Sequence, residues 1–158
     1  MIIRDILHEK GSGVVTVLAN ETIHAAILKL NEHNIGALVV TDKQGEIAGI
    51  VTERDILKCC GRSCGRLESR SEPDEKACQY HVDDIMTKDL VIGVPDDDLN
   101  YAMGIMTKNH IRHLPVLELG QLAGIISISD LVNAHFEEKV FENRTLKDYI
   151  RGWARRES

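Results

Sequence analysis

The sequence predicts an α/β fold made of two copies of one strand–helix–strand–strand–helix unit. Three observations carry that prediction. The first is an internal repeat, the strongest architectural signal a chain can carry. Thr22–Leu30 aligns with Asp98–Met106 at an offset of 76 (98 − 22), and Gly45–Asp55 aligns with Gly120–Asp130 at an offset of 75 (120 − 45). The second is periodicity. Apolar residues at 23, 26, 27 and 30, and again at 99, 102, 103 and 106, follow the i, i+3, i+4, i+7 spacing of an amphipathic helix. The third is a pair of short β-rich runs after each helix, joined by a polar, glycine-containing turn.

The elements follow in order. Val14–Leu18 and Leu90–Val94 read as strand-like lead-ins. The amphipathic helices come next, with Met103 and Met106 on the apolar face as core residues. Ala37–Thr41 with Glu46–Val51, and His113–Leu117 with Gln121–Ile126, read as strand pairs. Asp42-Lys43-Gln44-Gly45 turns the first pair, and the shorter Glu118-Leu119-Gly120 turns the second. A further helix is expected to start after Thr52 and after Ser127. Each sheet is too small to bury its own face, so the two are expected to pack together. The polar stretch between the units, with Gly61, Gly65 and Pro73, reads as an exposed loop. The expected organisation is a first repeat over 1–60, a linker over 61–82, a second repeat over 83–136 and a helical tail over 137–158. In that tail Leu146, Tyr149, Ile150 and Trp153 share one apolar face and suit a two-fold pairing of copies.

Composition removes several function classes. With 19 basic against 25 acidic residues the formal charge is −6, unsuited to neutralising phosphates along nucleic acid. A hydrophobic share of 43% is that of a globular chain, and no run is long enough for a membrane-spanning helix. The opening residues carry Arg4, Asp5 and Glu9 where a signal peptide has an apolar stretch. A cytoplasmic protein with reduced cysteines is therefore expected. The seven histidines show no His-Glu-x-x-His spacing, and no nucleophile–base pair is evident, so an enzyme is not expected.

The chemistry concentrates where strand gives way to helix. Thr52 and Ser127 stand at helix starts, where unpaired N–H groups and the positive dipole end suit a phosphate. Asp55 and Asp130, three residues on, are carboxylates that can accept the two hydroxyls of a ribose. Backbone groups around Ile35-Gly36-Ala37 and Arg112-His113-Leu114 can read an adenine edge, and the pairs Ile35/Ile50 and Ile111/Ile125 can sandwich the base. Arg54, Arg112 and His113 can place positive charge near phosphate. The competing reading is plain: Ser/Thr-x-x-acid is close to a capping box, and Arg112 and His113 suit a solvated strand end.

These residues resemble a tandem pair of CBS domains, the Bateman module, over about residues 1–136. The doubled unit carries the resemblance, with its endings Gly49-Ile50-Val51-Thr52-Glu53-Arg54-Asp55 and Gly124-Ile125-Ile126-Ser127-Ile128-Ser129-Asp130, together with Ile111-Arg112-His113-Leu114-Pro115-Val116. Leu146-Lys147-Asp148-Tyr149-Ile150 is similar to the ending of small stand-alone bacterial CBS-pair proteins. The resemblance implies two repeats packed about a pseudo-two-fold axis. It implies a regulatory module that binds AMP, ADP, ATP, NAD or S-adenosylmethionine in clefts between the repeats, commonly pairs as a homodimer and modulates an effector protein. It supplies no catalytic residue and no metal. It adds Thr16 to the expected nucleotide-binding set, although the matching Ile92 has no hydroxyl. The alternatives are a structural or interaction module without ligand, and a thiol or zinc sensor using Cys59, Cys60, Cys64, Cys78 and His81. Adjacent Cys59 and Cys60 fit a tetrahedral ion poorly, and the family pattern does not include these cysteines.

Overall fold

A computed structural model describes residues 1–11, 13–64 and 80–154, without the side chains of 62–64 and 148–154. The elements in chain order are α1 (Ile3–Lys10), β1 (Thr16–Leu18), α2 (Ile23–His33), β2 (Ala37–Thr41), β3 (Ile47–Thr52), α3 (Glu53–Cys64), a 3-10 turn (Val82–Asp84), α4 (Leu99–Lys108), β4 (His113–Glu118), β5 (Gln121–Ser127) and α5 (Ile128–Ala154). The strand–helix–strand–strand–helix order is present in full in the first copy. The chain forms two compact units, Gly13–Val91 with Leu119–Leu122, and Met1–Ser12 with Ile92–Glu118 and Ala123–Ser158.

In the first of these units β1 runs parallel to β2, and β2 antiparallel to β3, in the order β1-β2-β3. Asp42 holds the turn between β2 and β3, since its Oδ1 accepts from the backbone N–H of Gln44 and Glu46, both at 2.9 Å. Gly45 follows at φ 87°, a conformation that suits a residue without Cβ. Thr22 caps α2 by accepting from Ala25 N at 3.2 Å. The helix stripe closes over the sheet, so that Val17, Ile23, Ala26, Leu30, Leu38, Val40, Val51, Ile56 and Val82 form one core. Thr87 then pairs with the outer edge of β3, by Ile50 N to Thr87 O at 3.0 Å and Thr87 N to Ile50 O at 2.9 Å.

The second unit repeats the plan with two differences. The lead-in is a single bridge, Gly93 to Val116, and not the strand expected over Leu90–Val94. Pro95 is the reason. In the first copy Ala19 N extends the ladder to Thr41 O at 3.0 Å, and the equivalent Pro95 has no N–H to give. Val94 N donates to Asp97 Oδ2 at 2.8 Å just as Leu18 N donates to Glu21 Oε2 at 3.2 Å in the first copy, so that contact does not distinguish the two. The tail also differs from expectation. It is no separate helix but the continuation of α5, which runs 27 residues. No Gly or Pro falls between Leu131 and Arg151 to stop it.

This unit holds α1, which packs against α5. Ile3 N donates to Asp97 O at 3.0 Å and Arg4 N to Pro95 O at 2.8 Å. The Arg4 guanidinium spans Asp96 Oδ1 and Glu118 Oε1, each at 2.9 Å. The bonds to Asp96 and then Glu118 hold its pKa above the ordinary value.

Candidate functional site

Each strand-to-helix junction is a closed clamp. Thr52 donates to Asp55 Oδ2 twice, from N at 2.9 Å and from Oγ1 at 2.8 Å, and Asp55 N returns a bond to Thr52 Oγ1 at 3.4 Å. Ser127 does the same to Asp130 Oδ2, from N at 2.7 Å and Oγ at 2.8 Å, with Asp130 N to Ser127 Oγ at 3.2 Å. The bonds to both carboxylates fall on one oxygen, Oδ2. Oδ1 is the oxygen these bonds leave, so capping and acceptance of a ribose hydroxyl are chemically compatible.

The first backbone N–H of each helix is also occupied. Glu53 N donates to Gly36 O at 3.1 Å and Ile128 N to Arg112 O at 2.9 Å. Hence the helix starts do not present every N–H for an anion, and the Thr52 and Ser127 hydroxyl protons already point at carboxylate. A phosphate at either junction would draw on the remaining second-position N–H and on rotation of the hydroxyl.

The first sheet brings several expected residues to one end. Ala37 lies opposite Thr52, and Val39 links Thr16 to Ile50 in one transverse row. Thr16 O accepts from Lys29 Nζ at 3.2 Å. Ile50 is buried, and half-buried Ile35 packs on the core cluster, so neither is a freely exposed apolar face. In the second copy Ile111, His113 and Ile125 are half-buried, Leu114 and Pro115 are buried, and Arg112 is exposed. Arg54 is exposed on α3. Of the cysteine set, Cys59 and Cys60 are half-buried against the core of their unit. The Cys64 side chain and Cys78 lie outside the described residues. Among the described residues no cluster of His, Cys, Asp or Glu suits a metal ion, and no helix is long and apolar enough to cross a membrane.

Lys10, which sequence reasoning did not single out, lies at the second clamp. Its Nζ lies 2.7 Å from Asp130 Oδ2 and 3.2 Å from Ile125 O. A pair separated by 120 positions leaves no trace in periodicity. Burial pushes the Asp130 carboxyl up, but the Lys10 and Ser127 hydrogen bonds together outweigh it and hold the pKa below the ordinary value. A carboxyl lowered by folding adds stability above its unfolded pKa and loses it as pH falls through the folded value. Wild type is therefore expected to lead Asp130→Asn in stability near neutrality, by less than about 1 kcal/mol for so exposed a pair. That lead should shrink below about pH 4. Urea melts of both proteins across that range check it, and a gap independent of pH would contradict it.

Comparison with known proteins bears on this geometry. The sequence model of the CBS domain matches twice, over residues 3–61 and 82–137. The chain is 35% identical over 159 residues to the mitochondrial CBS domain-containing protein CBSX3 of Arabidopsis thaliana, spanning 95% of this chain and 72% of that one. It is 33% identical over 118 residues to the CBS domain-containing protein YhcV of Bacillus subtilis, spanning 75% of this chain and 76% of that one. A crystal structure of a CBS-domain containing protein from Agrobacterium tumefaciens superposes with a TM-score of 0.76 at 40% identity, covering 85% of this chain and 92% of that one. The CBS domain pair of protein MJ0100, in complex with 5′-methylthioadenosine and S-adenosyl-L-methionine, shares the fold at 23% identity and a TM-score of 0.72, covering 87% of this chain and 98% of that one.

Proposed function

The chain belongs to the CBS-domain family as a tandem pair, and from that premise we propose that it is a regulatory module whose two hydroxyl–carboxylate clamps each bind an adenine nucleotide. The observation that carries this reading is the doubling of the clamp. Two strand ends, 75 positions apart (127 − 52), hold a hydroxyl and a carboxylate in matching bond patterns within 0.2 Å (2.9 − 2.7) for each donation to Oδ2. A helix cap needs only one acceptor, whereas each carboxylate has a second oxygen to offer. The MJ0100 pair supports the ligand class, since a protein of this fold holds two adenosine derivatives. The relevant chemistry is AMP, ADP, ATP or NAD, with an effector protein receiving the signal. Calorimetry of the purified chain with each nucleotide tests it. Binding tighter than about millimolar is expected, roughly 4 kcal/mol. Failure of all four to bind would leave an interaction module without ligand.

The same reading includes a homodimer. On α5, Phe136, Val140, Phe141 and Leu146 are more than half exposed. Phe136 and Val140 share one face of α5 with Lys139, Asn143, Arg144 and Lys147. Exposed apolar side chains along α5 suit burial against a second copy. Tyr149, Ile150 and Trp153 have side chains outside the described residues. Light scattering is expected to give twice the chain mass at micromolar concentration. A single-chain mass throughout would rule the dimer out.

A further inference from the structure

The two clamps match in pattern but differ in charge, and Lys10 makes the difference. In the first copy the Ile50 carbonyl accepts Thr87 N at 2.9 Å. In the second copy the equivalent Ile125 carbonyl accepts the Lys10 ammonium at 3.2 Å. The same ammonium pairs with Asp130 at 2.7 Å. An ammonium has three N–H donors, and these two contacts use two. Lys10 keeps 42% of its side-chain exposure, so water or a solute can reach it. Among the described residues, the hydrogen bonds on the Asp55 carboxylate come from Thr52. On the turn that carries Asp55, Glu53 and Arg54 are both exposed and offset each other.

A 5′-phosphate beside the ribose therefore meets different fields at the two clamps. At the first it approaches a carboxylate that, among the described residues, has no ion-paired cation. At the second the carboxylate is already ion-paired, and a donor of a charge-assisted hydrogen bond remains, while exposed Arg112, just before β4, is tied to the clamp by Ile128 N to Arg112 O at 2.9 Å. We propose that Lys10 is the specificity-determining residue of the Ser127–Asp130 clamp, selecting an adenine nucleoside that carries a 5′-phosphate over one that does not. The Thr52–Asp55 clamp makes no such selection. The inference rests on the nucleotide-binding reading above and assigns the ligand class of one of its two sites.

The experiment compares AMP with adenosine by calorimetry in an Asp55→Ala background, which leaves the second clamp as the stronger site. Lys10→Met keeps an unbranched stem of nearly the same length and removes its charge; Lys10→Arg keeps the charge. The preference for AMP over adenosine is expected to fall about tenfold with methionine and to return with arginine. An unchanged preference with methionine overturns the inference while leaving the nucleotide reading intact. So does an equal loss for both ligands, which would make Lys10 a structural tie. If the full wild-type chain binds ADP, ATP or NAD but neither AMP nor adenosine, this inference is overturned and the nucleotide reading stands; if it binds none of the four nucleotides, both fall.

Discussion

Replacing Gly49 with alanine is expected to cost roughly 2–4 kcal/mol, while the same change at Gly124 costs about 1 kcal/mol. The two glycines occupy the same place in the repeat, on β3 and β5. A Cβ at Gly49 would stand 2.7 Å from Thr87 O and 2.9 Å from Met86 Sδ. The Thr87 carbonyl is held by the two-bond bridge to Ile50, so it yields only if those bonds stretch. A Cβ at Gly124 would stand 2.5 Å from Leu7 Cδ2, the free end of a side chain that can change rotamer. Urea melts of the two variants measure the contrast. Second substitutions sharpen it. Leu7→Ala is expected to remove most of the penalty at Gly124, whereas Met86→Ala leaves most of that at Gly49, since the backbone oxygen remains. Equal penalties, or rescue by Met86→Ala, would show that Thr87 is freer than its bonds imply. Gly49→Ala should also weaken ligand at the first clamp, because Ile50 and Thr52 lie on the same strand.

The repeat was legible because it is written in hydrogen bonds that recur at fixed offsets. Ile35 N to Leu30 O and Ile111 N to Met106 O both close a helix at 3.0 Å. Glu53 N to Gly36 O and Ile128 N to Arg112 O both start the next one. The carboxylates that hold the clamps recur with them as Asp55 and Asp130, and Gly49 and Gly124 recur where a Cβ would press on a neighbour. The rest depended on single residues that break the symmetry. Pro95 shortens the second lead-in through one missing donor, a local effect that the strand-like run Leu90–Val94 hides. The tail was legible as helix but not as a continuation, since apolar spacing alone does not say where a helix begins. Lys10 was illegible, because its partner is fixed by the docking of α1 on the elements around α5 rather than by any spacing. Of the two readings of Ser/Thr-x-x-acid, the capping pattern is the one seen in the hydrogen bonds of both junctions. Their hydroxyl protons and first helix N–H groups proved to be committed within the fold.

The largest effect on binding is expected from the carboxylates. Asp55→Ala and Asp130→Ala should each weaken one nucleotide site by about 10- to 150-fold and leave the other nearly intact, since losing a charge-assisted bond to a hydroxyl costs roughly 1.5–3 kcal/mol. Each substitution also removes a helix-start acceptor, which costs stability on its own account, typically about 1 kcal/mol. The two losses separate through the ligand rather than through the protein. A 2′-deoxy nucleotide lacks one ribose hydroxyl and leaves the cap untouched. Wild type is expected to hold it several-fold more weakly than the ribonucleotide, at both clamps. A variant that has lost its carboxylate has nothing left at that clamp to recognise the missing hydroxyl, so there the discrimination should vanish. Asp55→Asn and Asp130→Asn refine the comparison, since an amide oxygen keeps one neutral acceptor for the Thr52 or Ser127 donors. They should recover stability more fully than affinity. Calorimetry with both ligands on the five proteins reads every term. If the alanine variants bind like wild type, or discriminate against the deoxy ligand as well as wild type does, the aspartates are helix caps alone and the ribose contact lies elsewhere.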